Sequence, residues 1–330
     1  MAAIERAERR ALEQGRFGQT FFHDVLEVRD RARAAVARAI GAKPGEIALT
    51  TSTTEGCNTV VRGLRLRPGD EVVTTDCEHP GLLGALAVSA AEVRRAPVSR
   101  ACAADALAVL EAELTDATRL IAVSHVTWTT GQVIPVRELA RHGIPVLVDG
   151  AQSVGAIPVD VGELGCSFYT VSGQKWLLGP DATGALYVRP NAVDDLAVTA
   201  PSYLSFADPN GLEFWPDARR FESTWTAPGA SAGLLASLEL AAGLGEERFR
   251  AARRAAARCR ELVASRAEVV TEPGQATLVS FRPREPATGV VARLEERGVV
   301  VRELPSVGWV RASCGWWTTD ADLERLVGGL

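Results

Sequence analysis

Val146-Leu147-Val148-Asp149-Gly150-Ala151-Gln152-Ser153 is the stretch on which the reading of the fold turns. Residues 145–148 are apolar at successive positions, so the strand they form must be covered on both faces, as in a parallel sheet flanked by helices. The run stops at a carboxylate, and ligands of open α/β sheets collect where the strands end. Residues 119–124 repeat the pattern upstream, and residues 168–171 and 185–188 repeat it around Ser172-Gly173-Gln174-Lys175-Trp176. Helical patterns fall at residues 1–14, 24–40, 58–66, 81–91 and 136–142, and further strands at 47–51 and 71–75. This alternation predicts an α/β domain with a mostly parallel central sheet.

Beyond about Ser231 the texture changes. Residues 231–244 and 246–266 read as long helices rich in Ala and Arg. A smaller α+β unit follows, with strands at 276–281, 299–302 and 309–313 and helices at 288–297 and 320–327. Residues 200–229 mix Pro, aromatic and polar residues without a period, which reads as a long functional loop. The expected division is a large domain at residues 45–225. The smaller domain would take residues 226–330 together with the N-terminal helices of residues 1–44.

Composition narrows the function. With 330 residues, 47% of them hydrophobic, the chain can bury a large core. A net charge of −5 and arginines scattered among acidic residues argue against a nucleic-acid partner. Cys57, Cys77, Cys102, Cys166, Cys259 and Cys314 lie far apart with no C-x-x-C pair. That spacing argues against a disulfide framework or a structural zinc site and leads us to expect a reducing cytoplasm. The N-terminal stretch lacks the apolar region of a signal peptide. No run approaches the roughly 18 apolar residues of a membrane span.

Only two of the 36 Lys and Arg residues are lysines, Lys43 and Lys175. A lysine retained against such a bias is expected to need an amine that can lose its proton, since Arg stays charged and cannot form a Schiff base. That chemistry requires a carbonyl substrate or a pyridoxal phosphate cofactor. Spacing alone fits a surface lysine equally well. Asp149 at a strand end would pair with a protonated pyridine nitrogen, because a lone buried carboxylate is costly. Taken alone, its commoner role is a helix N-cap. Gln152 could donate to a cofactor's phenolic oxygen. The polar turn Thr51-Ser52-Thr53-Thr54-Glu55-Gly56, between a strand and a helix, suits an anion. His79 could stack on a planar ring, whereas His125 reads as structural. Arg311, ending an apolar strand, could clamp a carboxylate.

Taken together these residues resemble the class V aminotransferase superfamily of fold-type I pyridoxal phosphate enzymes. The resemblance rests on Val148-Asp149-Gly150-Ala151-Gln152-Ser153, Ser172-Gly173-Gln174-Lys175-Trp176 and Gly179-Pro180, and runs over nearly the whole chain. It implies that Lys175 forms the Schiff base, Asp149 pairs with the ring nitrogen, Gln152 binds the phenolic oxygen and Ser172 binds phosphate. Thr53 and Thr54 fall in the implied phosphate loop, and His79 in the ring-stacking segment Asp76-Cys77-Glu78-His79-Pro80-Gly81. Residues 124–133, which include Trp128, and Val310-Arg311-Ala312-Ser313-Cys314 look closest to the cystine C–S lyase branch, near the cysteine desulfurases. There the Arg holds the substrate carboxylate, which gives Arg311 and Trp128 as substrate residues.

The chain departs from the pattern in four places. Gln174 stands where the family usually has His, so it can donate to phosphate but carries no charge. Phe221-Glu222-Ser223-Thr224-Trp225-Thr226 has Trp where the family commonly has Gly-Thr, whose Thr reaches a neighbouring subunit's phosphate. Thr224 or Thr226 would take over, or Trp225 would line the pocket. Gly315-Trp316-Trp317 follows where a His is common, and with Trp128 and Tyr203 suggests an aromatic-rich site. The N-terminal substrate-binding segment of relatives is expected to be short or absent.

The resemblance implies a pyridoxal 5'-phosphate-dependent C–S lyase that releases pyruvate, ammonia and a thiol or persulfide from cystine or a cysteine S-conjugate. Lys175 would remove the Cα proton. A desulfurase needs a mobile cysteine, and residues 200–229 contain none, which leaves Cys314 as the remaining candidate. A decarboxylating or oxidative deaminase, an aminotransferase and an epimerase share the first steps and stay open. So does a non-catalytic binding protein on the same fold. The implied assembly is a homodimer.

Overall fold

The computed structural model describes residues 1–330. Seven strands form the main sheet: β1 (Ile47–Thr50), β2 (Glu71–Thr75), β3 (Glu92–Ala96), β4 (Thr118–Ser124), β5 (Val146–Asp149), β6 (Phe168–Ser172) and β7 (Gly184–Val188). Their order is β1-β7-β6-β5-β4-β2-β3. Strands β3, β2, β4, β5 and β6 are parallel to one another, while β7 runs antiparallel to both β6 and β1. Since β1 and β6 both oppose β7, they point the same way. The ends of β1, β2, β4, β5 and β6 therefore share one edge of the sheet.

The apolar runs have the cause expected of them. Val146 and Val148 face a core of 31 buried residues, whereas Leu147 between them faces a second core of 19 on the other side. Helices α1 (Ala2–Gln14) and α2 (Gln19–Ala39) lead into the sheet, and α2 buries Ala32, Val36 and Ala37 in the first core. On the opposite face lie α3 (Thr53–Gly63), through Val60 and Val61, and α4 (Pro80–Ala87), through Leu82 and Leu86. Three short helices connect the strands: α5 (Ala106–Glu111), α6 (Val136–Ala140) and α7 (Val161–Leu164). A hairpin, β8 (Phe206–Asp208) and β9 (Glu213–Phe214), and short 3-10 turns occupy the stretch read as a long functional loop. Paired strands there are too short to leave a period in the sequence.

Helix α8 (Pro228–Leu244) packs against the N-terminal helices α1 and α2. Its Leu234, Leu235 and Leu238 pack in the same core as α2, beneath the main sheet. The N-terminal helices and α8 thus cover the large domain. The smaller unit begins with α9 (Glu247–Ala264), followed by β10 (Glu268–Val269), β11 (Leu278–Arg282), α10 (Ala287–Glu296), β12 (Arg302–Leu304), β13 (Trp309–Ser313) and α11 (Asp320–Val327). Its sheet is antiparallel in the order β10-β11-β13-β12, and its own core is formed by residues such as Cys259, Phe281, Leu294 and Val310. Strand β12 lies later than the Val299-Val300-Val301 run suggested. Cross-strand pairing with β13 defines it, and Val300 is 87% exposed. The edge strand β3 escaped the sequence reading because Glu92, Arg94 and Arg95 break its apolar pattern.

A buried ion cluster locks α2 to β1 and to the segment before α8. The Glu222 carboxylate accepts from Arg29 Nη2 at 2.7 Å, from Arg33 Nη2 at 2.8 Å and from the Leu49 N–H at 2.9 Å. Arg29 also donates to Thr226 Oγ1 at 3.0 Å. All three charged side chains are buried, so removing Glu222 leaves Arg29 with only the neutral Thr226 hydroxyl and Arg33 with only the exposed Asp30. Breaking such a network typically costs about 3–5 kcal/mol. Glu222→Ala is therefore expected to lower the denaturation midpoint by an amount of that order in a urea or thermal titration. A change under about 1 kcal/mol would show that the cluster does not hold these elements together.

Candidate active site

Asp149 closes β5 at the shared edge and is 3% exposed. Its Oδ1 accepts the Ala151 N–H at 2.9 Å within a turn, and no helix starts there, so the carboxylate sits at a strand end without a helix to cap. No other protein hydrogen bond reaches the carboxylate, and a buried carboxylate with one neutral donor calls for a cation. The turn that follows is pinned from behind. The Gly150 N–H donates to Thr170 O at 3.0 Å, and a Cβ at this position would stand 2.2 Å from that oxygen. Ser153, Tyr169 and His125 form a buried hydroxyl–imidazole chain, with His125 Nδ1 and Tyr169 Oη 2.8 Å apart. His125 is structural, as expected, and burial holds its imidazole down at about 4.

Lys175 follows β6, in the loop that leads to β7. Its amine is half-buried, and burial lowers it from the usual lysine range. Asp149 opposes that shift, and Arg311 adds to it. These same interactions place Lys175, Asp149 and Arg311 in one electrostatic neighbourhood. Gln152 Oε1 accepts the Trp176 indole N–H at 2.9 Å. An indole nitrogen only donates, so the amide orientation is set and both N–H bonds of Gln152 Nε2 are left free. Ser172 Oγ donates to Gln174 Oε1 at 2.9 Å, which leaves the Gln174 amide N–H groups free in turn.

The polar turn after β1 is the start of α3 rather than a loop ahead of a later helix. Ser52 caps it, accepting the Glu55 N–H at 3.1 Å. Thr53 and Thr54 are its first two residues, where backbone N–H groups have no helical partner. Glu55 accepts from the Thr51 N–H and hydroxyl, each at 2.6 Å, and from the Ser223 hydroxyl. The Ser223 bond draws the segment carrying Thr224 towards this helix start. Thr224 is half-buried beside it, whereas the Thr226 hydroxyl is committed to Arg29. Trp225 packs against Phe22 and Tyr203, at centroid distances of 5.9 and 6.0 Å.

His79 begins α4. Its Nδ1 accepts the Gly81 N–H at 3.0 Å, which puts the proton of the neutral ring on Nε2. Burial and Lys175 hold its pKa below the usual histidine value. Trp128 meets the imidazole edge-on, with centroids 5.3 Å apart. Arg311 Nη1 donates to the Trp128 carbonyl at 2.6 Å. Burial and Arg302 push Arg311 down to about 10. The structure thus brings Lys175, Asp149, His79, Trp128 and Arg311 together. It removes Cys314, which is buried in the small-domain core with Cys259, and whose thiol is raised far above the usual range by that contact and by burial.

Two groups escaped the sequence reading. Glu78, next to His79, is 4% exposed. It accepts from the Thr75 hydroxyl at 2.7 Å and from the Ser124 N–H and hydroxyl. Ser124 is in register with Asp149, so Glu78 braces the His79 segment to the strand beside the one that ends in Asp149. Arg302 stands opposite Arg311 across β12 and β13, a register no sequence pattern shows.

The donor set fits pyridoxal phosphate. Asp149 lacks a cation, Gln152 has a free donor for an oxygen, and the α3 start and Gln174 offer N–H groups to an anion. Lys175 has a lowered amine among them. These residues would hold the ring nitrogen, the phenolic oxygen, the phosphate and the carbonyl carbon respectively.

Burial also sets a pH dependence. Glu78 is pushed up to about 7 from 4.5, so its contribution to stability is complete below pH 4.5 and is lost as pH rises through 7. His125 lies at about 4 against 6.5, so its contribution is complete above pH 6.5 and is lost as pH falls through 4. The two oppose each other from pH 4.5 to 6.5, and the lowered His79 acts in the same sense as His125, so the wild-type profile should be flatter there than the histidines alone would make it. Glu78→Gln should leave the His125 dependence alone, with stability rising by roughly 1 kcal/mol per pH unit over that range. Denaturant titrations of the cofactor-free protein check this, and an equally flat variant would refute it.

The Aminotransferase class-V family profile matches residues 11–326. Isopenicillin N epimerase of Streptomyces clavuligerus is 30% identical over 339 residues, covering 91% of this chain and 83% of that protein. A probable cysteine desulfurase of Pseudomonas aeruginosa is 33% identical over 326 residues, covering 90% of this chain and 80% of its own. Among solved structures, the cystine C–S lyase C-DES in complex with its reaction product cysteine persulfide superposes with a TM-score of 0.93 at 30% identity, covering 99% of this chain and 92% of that one. A lysine-to-alanine variant of C-DES, with glycine covalently linked to its PLP cofactor, gives 0.90 at 31% identity, covering 99% and 91%.

Proposed function

Because the chain belongs to the aminotransferase class-V family, we infer that it is a pyridoxal 5'-phosphate-dependent C–S lyase acting on cystine or on a cysteine S-conjugate with a second anionic group. The cross-strand pair Arg302 and Arg311 carries this reading of the substrate. Like charges directly opposite one another on a sheet are unfavourable, and Arg311 feels Arg302 with no acid offsetting it. Two anionic groups on one ligand would relieve the pair. The α-carboxylate would go to the half-buried Arg311 and a distal carboxylate to the exposed Arg302.

The cofactor, when bound, supplies an electron sink that weakens the Cα–H and Cβ–S bonds of the substrate. Lys175 takes the Cα proton, and its lowered basicity brings it nearer the operating range of a general base. Asp149 would hold the ring nitrogen of the bound cofactor charged, and the neutral imidazole of His79 would pack against the cofactor. Water enters and pyruvate, ammonia and a thiol leave, the thiol being cysteine persulfide when cystine is consumed. Cys314 is buried, which favours this reading over a desulfurase that carries sulfur on that thiol.

A homodimer accompanies the reading. Phe22, Tyr203 and Phe214 are 49%, 58% and 38% exposed, and they sit on α2 and on the segment preceding Thr224. Size-exclusion chromatography with light scattering should give twice the 35.1 kDa of the chain.

The deciding experiment is an absorbance spectrum with pyridoxal phosphate, followed by assays with cystine and S-methylcysteine. A band above 400 nm (roughly the range of a protonated Schiff base) that is lost in Lys175→Ala, with pyruvate released, is the expected result. D-amino acid without pyruvate would make the chain an epimerase. An aldehyde with oxygen uptake would make it a decarboxylating deaminase. A band without turnover would make it a binding protein. Arg302→Gln should reduce kcat/KM for cystine by about fivefold more than for S-methylcysteine, the size expected of an exposed ion pair.

A further inference from the structure

Lys175 and Asp149 lie on different segments, and one side-chain bond joins those segments at the site. The indole N–H of Trp176, next in the chain after Lys175, donates to Gln152 Oε1 at 2.9 Å, three residues beyond Asp149. Backbone packing sets the same two segments against each other, because a Cβ on Gly155 would stand 2.7 Å from the Trp176 carbonyl carbon and oxygen. Gly155 also has a φ of 96°, which glycine adopts without strain. The indole is held from both domains. Trp176 is 6% exposed and packs with Val126 and Ala156 of the large domain and with Ala276 and Leu278, where β11 of the smaller unit begins. Trp317, just after β13, lies beside it at 6.2 Å between ring centroids. A glutamine amide is nearly symmetric in shape, so shape alone does not decide whether its oxygen or its nitrogen faces a ligand. An indole nitrogen has a hydrogen to give and no lone pair to accept with. Turning the Gln152 amide over would set two donors against each other and leave the N–H of a buried tryptophan unmet.

We propose that Trp176 is a positioning residue for the cofactor. Its indole N–H fixes the Gln152 amide with both Nε2 hydrogens turned away from the indole, as donors to the phenolic oxygen, before the cofactor arrives. Turned over, the same amide would present its own oxygen to that anionic oxygen and repel it. A donor whose direction is set in advance needs no reorganisation when the ligand binds. The same bond ties the loop of Lys175 to the turn of Asp149, the segments proposed to hold the carbonyl carbon and the ring nitrogen. The inference rests on the proposed cofactor contacts of Gln152 and Lys175, and it is independent of which substrate bond is broken.

Trp176→Phe removes the N–H and keeps an aromatic ring between the domains. Gln152→Met removes the amide and keeps the length of the side chain. The wild type, both variants and the double variant are titrated with pyridoxal phosphate. The readouts are the apparent dissociation constant and the pH midpoint of the visible band. Trp176→Phe should weaken cofactor binding about fivefold, the size of one hydrogen bond between neutral groups. It should also raise the midpoint by about half a pH unit. A donor on the phenolic oxygen favours the form in which that oxygen carries most negative charge, the form that has lost the Schiff-base proton. In the Gln152→Met background the same substitution should change neither quantity. No effect of Trp176→Phe in the wild-type background overturns the proposal. An equal effect in both backgrounds also overturns it, because packing alone acts without the amide. Should Trp176→Phe not fold, the indole N–H signals of nitrogen-15-labelled wild-type and Gln152→Met apoproteins are compared. One of the seven should move upfield, and seven unmoved signals overturn the proposal. Every readout is taken without substrate. A wild-type protein that forms the band but releases no pyruvate would sink the C–S lyase reading and leave this one intact.

Discussion

Parallel strands deliver their C-terminal ends to one edge, and the site depends on that constraint. β2 delivers the Glu78–His79 turn, β4 delivers Ser124 and His125, β5 delivers Asp149, and β6 delivers Ser172 and the Lys175 loop. β1 joins them because it opposes β7, which itself opposes β6. Groups scattered over more than a hundred residues of sequence are thereby brought to one line. The same edge collects helix starts, where unpaired N–H groups favour anions. The small domain adds Arg302 and Arg311 on a separate antiparallel sheet.

The two charge clusters of the protein are built differently. Around Glu222, two guanidinium groups and a backbone N–H satisfy one acid, and the cluster serves to hold elements together. Around Lys175 the accounting is left open. Asp149 has no cation, Arg311 has no acid, and the lysine amine is lowered by burial. Groups held in place before a ligand arrives need no reorganisation at the moment of reaction. Their desolvation is offset elsewhere in the fold, in the packed cores on both faces of the sheet.

The departures from the family pattern now have physical content. Gln174 is oriented by the Ser172 hydroxyl, so it keeps donors for an anion although it lacks the charge of a histidine. Trp225 joins an aromatic group with Phe22 and Tyr203, and Arg29 lies 5.8 Å from its ring. Thr226 is spent on Arg29, which leaves Thr224 as the hydroxyl near the start of α3. The aromatic-rich character anticipated from composition divides in two. Trp176 and Trp317 pack together at 6.2 Å, while Trp128 stands against His79.

The sequence by itself determined the parallel sheet, because strands covered on both faces must be apolar at every position and Val146-Leu147-Val148 is. It also singled out Lys175, Asp149, Gln152, His79 and Arg311 as candidates, since each lies at a strand end or in a turn where a short motif is legible. Tertiary structure alone decided the rest. Glu78 became visible only once its partner Ser124, far along the chain, was seen to lie beside it. Arg302 and Arg311 became a pair only through the β12–β13 register. Helix α8 was assigned to the large domain only by what its leucines touch. Local patterns record how each residue meets its neighbours in the chain. They carry no record of which distant surface a helix covers, or which residue a strand sets opposite, because packing and register choose those partners.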